Sequence, residues 1–173
     1  MNTPLKIAVI GNSCAGKTRL SRSLSKKYKL PLIHVDQIQF TTGLKFRPFS
    51  ESIEILKTEQ AKSKWIIDGF GPLDILEDRL KLADQIIMID LPIKTHYFWA
   101  VKRVLKNLFI SQRAELPANS DERNLSHILK LFKTIHQVHT KMRPEMLRIL
   151  ARDIYKTKTV IITNTFELNR LIK

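Results

Sequence analysis

Cysteine is nearly absent from this 173-residue sequence, which has a single one, Cys14. An intramolecular disulfide and a cysteine-based zinc site are therefore excluded, and such low usage is typical of proteins in a reducing compartment. Long apolar runs are also missing, because no stretch approaches the ~18 residues of a membrane-spanning helix. No signal-peptide pattern precedes the first apolar run, at residues 5–10. These absences predict a soluble, cytoplasmic protein with no membrane partner.

Acidic residues are scarce relative to basic ones. Sixteen Asp and Glu face thirty Lys and Arg, which gives a net charge of +14. Residues 94–158 carry +9 of this excess and residues 1–93 carry +4. A surface this basic attracts nucleotide phosphates or nucleic acid, although it is also typical of solvated helix faces. Because no nucleic-acid recognition motif accompanies the charge, we expect any nucleic-acid contact to be non-specific.

One short stretch has a pattern with a clear chemical meaning. It reads Gly11-Asn12-Ser13-Cys14-Ala15-Gly16-Lys17-Thr18, which fits the phosphate-binding pattern G-x-x-x-x-G-K-[ST]. An apolar run precedes it, as in a buried strand, and an apolar stripe repeating every four residues follows it, as on a helix. We expect the eight residues to bind ATP, because converging backbone amides and a helix N-terminus attract phosphate. Lys17 is expected to neutralise phosphate charge in catalysis, and Thr18 to bind Mg²⁺.

Strand-like and helix-like segments alternate along the rest of the chain. Four further strands are predicted, at residues 32–36, 65–69, 85–90 and 159–163. Strands alternating with helices predict an α/β fold: a three-layer sandwich with a five-stranded parallel sheet. We expect residues 1–173 to form one domain with a basic, helical, lid-like segment at about 108–145. The helices around it are predicted at 123–141 and 145–156, divided at Pro144.

Two carboxylates are candidates for chemistry at the strand ends. In a parallel sheet, ligands bind beyond the carboxyl ends of the strands. Asp68 follows a buried strand, where P-loop proteins place an acid that holds Mg²⁺; the alternative is a turn or helix cap. Asp36, at the end of the second strand, is predicted to orient or deprotonate an acceptor hydroxyl, although a helix cap or structural ion pair is an alternative. Asp90 is interpreted as a turn residue.

The segment Trp65-Ile66-Ile67-Asp68-Gly69-Phe70 resembles the Asp-Gly-Phe strand end of adenylate kinases. The chain also resembles the bacterial DNA topology modulation proteins, over roughly residues 5–165, and the shared segments are Pro31–Asp36, Lys64–Gly69 and Leu91-Pro92 with the following helix. This resemblance implies a P-loop kinase core. It also implies that Arg103 stacks on adenine and that Arg143 reaches the transferred phosphate; a solvated Arg143 is the alternative. The chain departs from adenylate kinases at Gly71-Pro72, where they have Pro-Arg, and at Asn107, where they have a phosphate-binding arginine.

The sequence therefore predicts a Mg²⁺- and ATP-dependent phosphotransferase acting on a nucleoside, nucleotide or related small molecule. Lys45 and Arg47, which follow the second strand, are candidate contacts for an anionic group of the acceptor. Two alternatives stay open: a non-catalytic nucleotide-binding regulator that contacts nucleic acid, and an ATPase without a small-molecule acceptor.

Overall fold

The computed structural model describes residues 4–109 and 125–172. The strands are β1 (Lys6–Gly11), β2 (Leu32–His34), β3 (Phe40–Thr41), β4 (Lys45–Phe46), β5 (Trp65–Asp68), β6 (Gln85–Ile89) and β7 (Thr159–Ile162). The helices are α1 (Lys17–Tyr28), α2 (Val35–Gln39), α3 (Phe49–Ala61), α4 (Leu73–Leu82), α5 (Ile93–Phe109), α6 (Leu125–Gln137), α7 (Arg143–Leu150), α8 (Asp153–Lys156) and α9 (Thr165–Ile172). A 3-10 turn spans Thr42–Leu44, and a π-helical turn spans Val138–Met142.

Five strands form one parallel sheet in the order β2-β5-β1-β6-β7. This arrangement confirms the predicted α/β sandwich with a five-stranded parallel sheet. Strand β1 lies at its centre, with β5 and β6 on either side. The loop after β1 therefore opens at the middle of the edge where ligands bind in parallel sheets.

The sheet has an apolar core on each face, because successive side chains of a strand point to opposite sides. On β1, Ile7 and Val9 pack into one core together with residues of α1 and α9. Ala8 and Ile10 pack into the other core, with residues of α3, α4, α7 and α8. Both faces of the central strand are thus buried, as expected for a parallel sheet covered by helices.

The region after β2 differs from the prediction. The strand ends at His34 rather than at residue 36, and Asp36 lies in the first turn of the short helix α2. The stretch after α2 forms a second, small sheet, in which β3 and β4 pair as an antiparallel hairpin. Phe40 and Phe46 are cross-strand partners in it, with ring centroids 4.7 Å apart. Contact between these rings stabilises the hairpin. Each of its strands has only two residues, which is too few for an alternating sequence pattern to indicate them.

The predicted helix division at Pro144 is wrong. The chain stays helical from α6 through the π-helical turn into α7, and the break falls at Ala151 and Arg152. Pro144 has no N–H to donate, and the ring of a proline inside a helix crowds the carbonyl four residues before it. That carbonyl belongs to Thr140, inside the π-helical turn, where the Arg143 N–H bonds five residues back to Val138. The π-helical turn is thus the local change in hydrogen-bond pattern through which the helix continues past Pro144. Of the predicted lid-like segment, residues 110–124 lie outside the described residues. Across the described ranges, no helix has the length and apolarity needed to cross a membrane.

Candidate functional site

The residues at 11–18 form a loop between β1 and α1, as the pattern requires. Gly11 has φ of 147°, and a Cβ there would lie 2.6 Å from the carbonyl oxygen of Ile89 on the adjacent strand. Gly16 has φ of 84°, and a Cβ there would approach the side chains of Trp99 and Leu168 at 3.4 and 3.2 Å. Both positions therefore need glycine, because a side chain would be strained and crowded. Helices α5 and α9 thus hold the loop where α1 begins.

Hydrogen bonds tie the loop to itself and to α6. The Lys17 ammonium donates to the carbonyl oxygen of Asn12 at 2.9 Å. The Asn12 side chain is buried; it accepts from the Ser13 amide at 2.7 Å and donates to the Ile135 carbonyl at 2.9 Å. Asn12 therefore stabilises the conformation of the loop and ties it to α6. Lys17 lies across the concavity, where a bound phosphate would offer it stronger, charged acceptors.

A cavity of about 770 Å³ opens in front of the loop. This volume is in the range of small-molecule and cofactor sites. The loop residues from Ser13 to Thr18 line it, and so do Arg103 and five further cation-bearing or aromatic residues of α1 and α5, namely Arg19, Arg22, Lys26, Trp99 and Lys106. We call this part of the cavity the cationic end.

A second part of the cavity, which we call the acidic end, lies where β2 and β5 end and is lined by His34, Asp36, Asp68 and Gly69. His34 of β2 and Asp68 of β5 are register partners in the sheet, and His34 Nδ1 lies 3.2 Å from Asp68 Oδ2. Asp68 is almost fully buried and Asp36 is exposed. Two carboxylates on different elements thus face one cavity, in line with their predicted proximity.

A buried arginine supports the acidic end from beneath. Arg79 of α4 is fully buried and donates to the carbonyl oxygens of Gly69 at 2.6 Å and Phe70 at 3.0 Å. Burial lowers the pKa of Arg79 to about 10, and the negative charge of Asp68 opposes this shift. The guanidinium therefore remains protonated at neutral pH, fixes the chain after β5 and places a positive charge near Asp68.

A second buried titratable group lies near the phosphate-binding loop. His96 of α5 is 1% exposed, and its Nε2 lies 3.1 Å from the carbonyl oxygen of Leu91. Burial is the main cause that lowers its pKa, and the positive charge of Lys17 lowers it further. The imidazole is therefore held in its neutral form near the loop.

Arg103 and Arg143 lie in different surroundings. Arg103 lines the cationic end, and its Nη1 lies 3.8 Å from Cys14 Sγ. Arg143 does not line the main cavity. It makes a two-point ion pair with Asp90, with distances of 2.6 and 2.9 Å, and these hydrogen bonds raise its pKa. Asp90 is thus an ion-pair partner rather than only a turn residue.

The two cations predicted to bind an acceptor anion do not line the cavity. Lys45 is exposed on β4. Arg47 donates to the carbonyl oxygen of Ile38 at 2.7 Å and pairs with Glu51 on α3. In this structure Arg47 therefore joins α2 to α3, and its role toward an acceptor stays a prediction.

Three features of the site escaped the sequence interpretation. His34 carried no predicted role, because its contact with Asp68 depends on which strands are neighbours. Arg79 shares the inner face of α4 with Leu76 and Leu80. An arginine within an apolar stripe of the sequence could therefore have indicated a buried charge. Arg19, Arg22 and Lys26 lie on one side of α1, and their spacing of three and four residues in the sequence also indicated this basic stripe.

Oxygen ligands for a magnesium ion are present among the residues that line the cavity. Thr18 and Asp68 both line the cavity, and hydroxyl and carboxylate oxygens are the donors that Mg²⁺ takes in proteins. The donor set therefore fits this ion.

Comparison with known proteins supports the fold. No model of a protein family matches the chain, and no curated protein matches it, so the resemblance to the DNA topology modulation proteins stays a prediction. Among solved structures, shikimate kinase from Acinetobacter baumannii in complex with shikimate is similar at 14% identity and a TM-score of 0.58, over 94% of this chain and 84% of that one. Shikimate kinase from Bacteroides thetaiotaomicron gives 14% and 0.47 over 98% and 95%, and the Aquifex aeolicus enzyme gives 21% and 0.41 over 79% and 82%. At these identities the likeness is one of fold alone: an α/β fold with a five-stranded parallel sheet and helices on its faces.

Proposed function

We propose that the protein is an ATP-dependent small-molecule kinase, with Mg·ATP at the cationic end of the cavity and the acceptor at the acidic end. One observation carries this proposal: the phosphate-binding loop and the carboxylates Asp36 and Asp68 line the same cavity. A loop that only binds nucleotide does not need a second end with its own polar groups. The fold shared with shikimate kinase adds support, because that neighbour is a kinase in complex with a small molecule, shikimate.

The residues of the cationic end would bind and orient the triphosphate. Loop amides and the start of α1 supply donors for phosphate oxygens, and Lys17 would exchange the Asn12 carbonyl for them. Arg103 lies where it would cover the nucleotide. When bound, Mg²⁺ supplies positive charge that offsets the charge of the transferred group; Thr18 and Asp68 are the residues that would hold it.

The acidic end would receive the hydroxyl group that attacks. Asp36 is exposed to the cavity and would orient this hydroxyl and accept its proton. The contact of His34 Nδ1 with Asp68 Oδ2 at 3.2 Å would hold the Asp68 carboxylate in place beside the acceptor. We propose that Arg143 takes part only after leaving Asp90, as a cation that would stabilise the transferred phosphate.

The experiment is a screen for acceptors with [γ-³²P]ATP and Mg²⁺. ADP release above the rate with water alone, together with label in a small molecule, is the expected result. Lys17→Ala should abolish both signals. Lys57→Ala, which removes an exposed lysine on α3, is the matched control and should retain them. Label found only in inorganic phosphate would indicate an ATPase instead, and nucleotide binding without any transfer would indicate a regulator.

A further inference from the structure

The two ends of the cavity differ in charge, and this difference bears on the class of acceptor. The cationic end presents lysine and arginine side chains from the loop, α1 and α5. The acidic end presents the carboxylates of Asp36 and Asp68 with one histidine, His34. An anionic group on the acceptor would therefore meet negative charge at Asp36.

Three arginines belong to the elements around the acidic end, and each is engaged within the protein. Arg47 is held by the carbonyl of Ile38, on the helix that carries Asp36, and by Glu51. Arg79 is fully buried and held by two carbonyl oxygens of the chain after β5.

The third arginine, Arg143, lies at a small recess shared with Phe70 and makes the two-point ion pair with Asp90. A planar, two-point pair between arginine and carboxylate is among the stronger hydrogen-bonded arrangements in proteins. An acceptor phosphate would have to displace Asp90 to recruit this charge. The complex would gain an ion pair between Arg143 and the phosphate and lose the one between Arg143 and Asp90. The net attraction for the phosphate would therefore be small.

We propose that the acceptor is a hydroxyl compound without a phosphate or carboxylate group, such as a nucleoside, a sugar alcohol or an amino alcohol. This inference rests on the proposed kinase function and narrows it, because nucleotides and acids were open alternatives. In the reaction, the acceptor oxygen forms a bond to the γ-phosphorus while the bond to the β–γ bridging oxygen of ATP breaks. The hydroxyl proton passes to Asp36 and then to solvent, and ADP leaves.

Selectivity for uncharged over anionic acceptors follows from repulsion between an anionic group of the acceptor and the carboxylate of Asp36. Placing like charges against each other at an interface disfavours binding by several-fold to more than a hundredfold. We therefore expect an uncharged acceptor to exceed its anionic counterpart by about 100-fold in kcat/KM. An amino group should be tolerated or favoured, because it meets carboxylates.

The test uses matched acceptor pairs that differ by one anionic group. Suitable pairs are adenosine with AMP, glycerol with glycerol 3-phosphate, and shikimate methyl ester with shikimate. Label transfer from [γ-³²P]ATP is measured for each member, in the parent protein, in Asp36→Asn and in Asp153→Asn. The last variant removes an exposed carboxylate at the start of α8 and serves as the control.

The expected result is that the uncharged member of at least one pair is phosphorylated about 100-fold more efficiently than its anionic partner. In Asp36→Asn, transfer should fall for both members while their ratio falls toward one; Asp153→Asn should keep the parent ratio. Preference for the anionic members would overturn this inference and leave the kinase function intact. An unchanged ratio in Asp36→Asn would also overturn it, because the selectivity would then come from elsewhere. Label in water alone, with ATP bound, would overturn the kinase function and this inference together.

Discussion

The two ends of the cavity are built in different ways. The cationic end is centred on one continuous stretch, the loop from Gly11 to Thr18 between a central strand and its helix, and α5 adds side chains to it. The acidic end is assembled from separate segments: the end of β2, the start of α2 and the end of β5, supported by Arg79 from α4. A site made by one continuous motif is predictable from its letters. A site assembled from separate segments depends on strand order and on the packing of helices beneath it.

This contrast predicts that the largest effect on catalysis comes from the continuous motif. Lys17→Ala removes a charge that would act on the transferred phosphate, so we expect kcat to fall by roughly 10²–10³-fold or more. Stability should change little, because the Lys17 ammonium makes one hydrogen bond, to Asn12. Turnover and the thermal midpoint are measured for Lys17→Ala and for Lys57→Ala. Equal turnover in the two variants would remove Lys17 from the mechanism.

The assembled end should instead be sensitive to its buried support. Arg79→Leu leaves the Gly69 and Phe70 carbonyls without their donor, so unfolding should become easier by about 2–4 kcal/mol. The matched control is Arg152→Leu, which breaks an exposed pair with Glu77 and should cost less than about 1 kcal/mol. Urea denaturation measures both.

A milder variant tests whether Arg79 positions the acceptor side. Arg79→Lys keeps a buried cation but has one ammonium in place of a forked donor. We expect a higher KM for the acceptor with nearly unchanged affinity for ATP. Affinity for ATP that falls as much as affinity for the acceptor would show that the two ends are not supported separately.

The smallest expected effect concerns the pH dependence of stability, through His96 near the continuous loop. Burial lowers the pKa of His96 from its usual value of 6.5, so the unfolded chain binds a proton more readily than the folded chain. Stability is therefore lost as pH falls below the usual histidine value of about 6.5.

The measurement compares the free energy of unfolding at pH 7.5 and 5.5. His96→Gln should reduce the difference between the two pH values. His136→Gln, at an exposed position on α6, should preserve it. A pH dependence that survives in His96→Gln would assign it to other groups.

Prediction from the sequence was strongest where local signals suffice. The buried parallel strands, their order of alternation with helices and the phosphate-binding loop each follow from short-range patterns. The prediction was weaker after β2. A five-residue helix and a hairpin with two-residue strands are too short to show a measurable period of apolar residues. It was wrong at Pro144, because the π-helical turn before this proline lets the helix continue through it.

The assembled end was only partly predictable. Asp36 and Asp68 were candidates because acids at predicted strand ends converge on one edge of the sheet. Both line the cavity, although Asp36 lies in α2, and their roles stay predictions. The partner of Asp68 was not found, because it is fixed by the pairing of β2 with β5. Likewise, the engagement of Arg143 by Asp90 depends on how α7 packs beside β6, which no spacing in the sequence encodes.

The central claim is that one end of the cavity binds Mg·ATP and the other positions an acceptor. The most direct measurement is a Mg²⁺ titration of ATP affinity and of phosphate transfer in Asp68→Asn and Asp36→Asn. Asp68→Asn should require more Mg²⁺ for the same ATP affinity, since a metal ligand is weakened. Asp36→Asn should bind Mg·ATP as the parent does and transfer phosphate more slowly at saturating Mg²⁺. The same shift in Mg²⁺ requirement in both variants would contradict the division of the site into two ends.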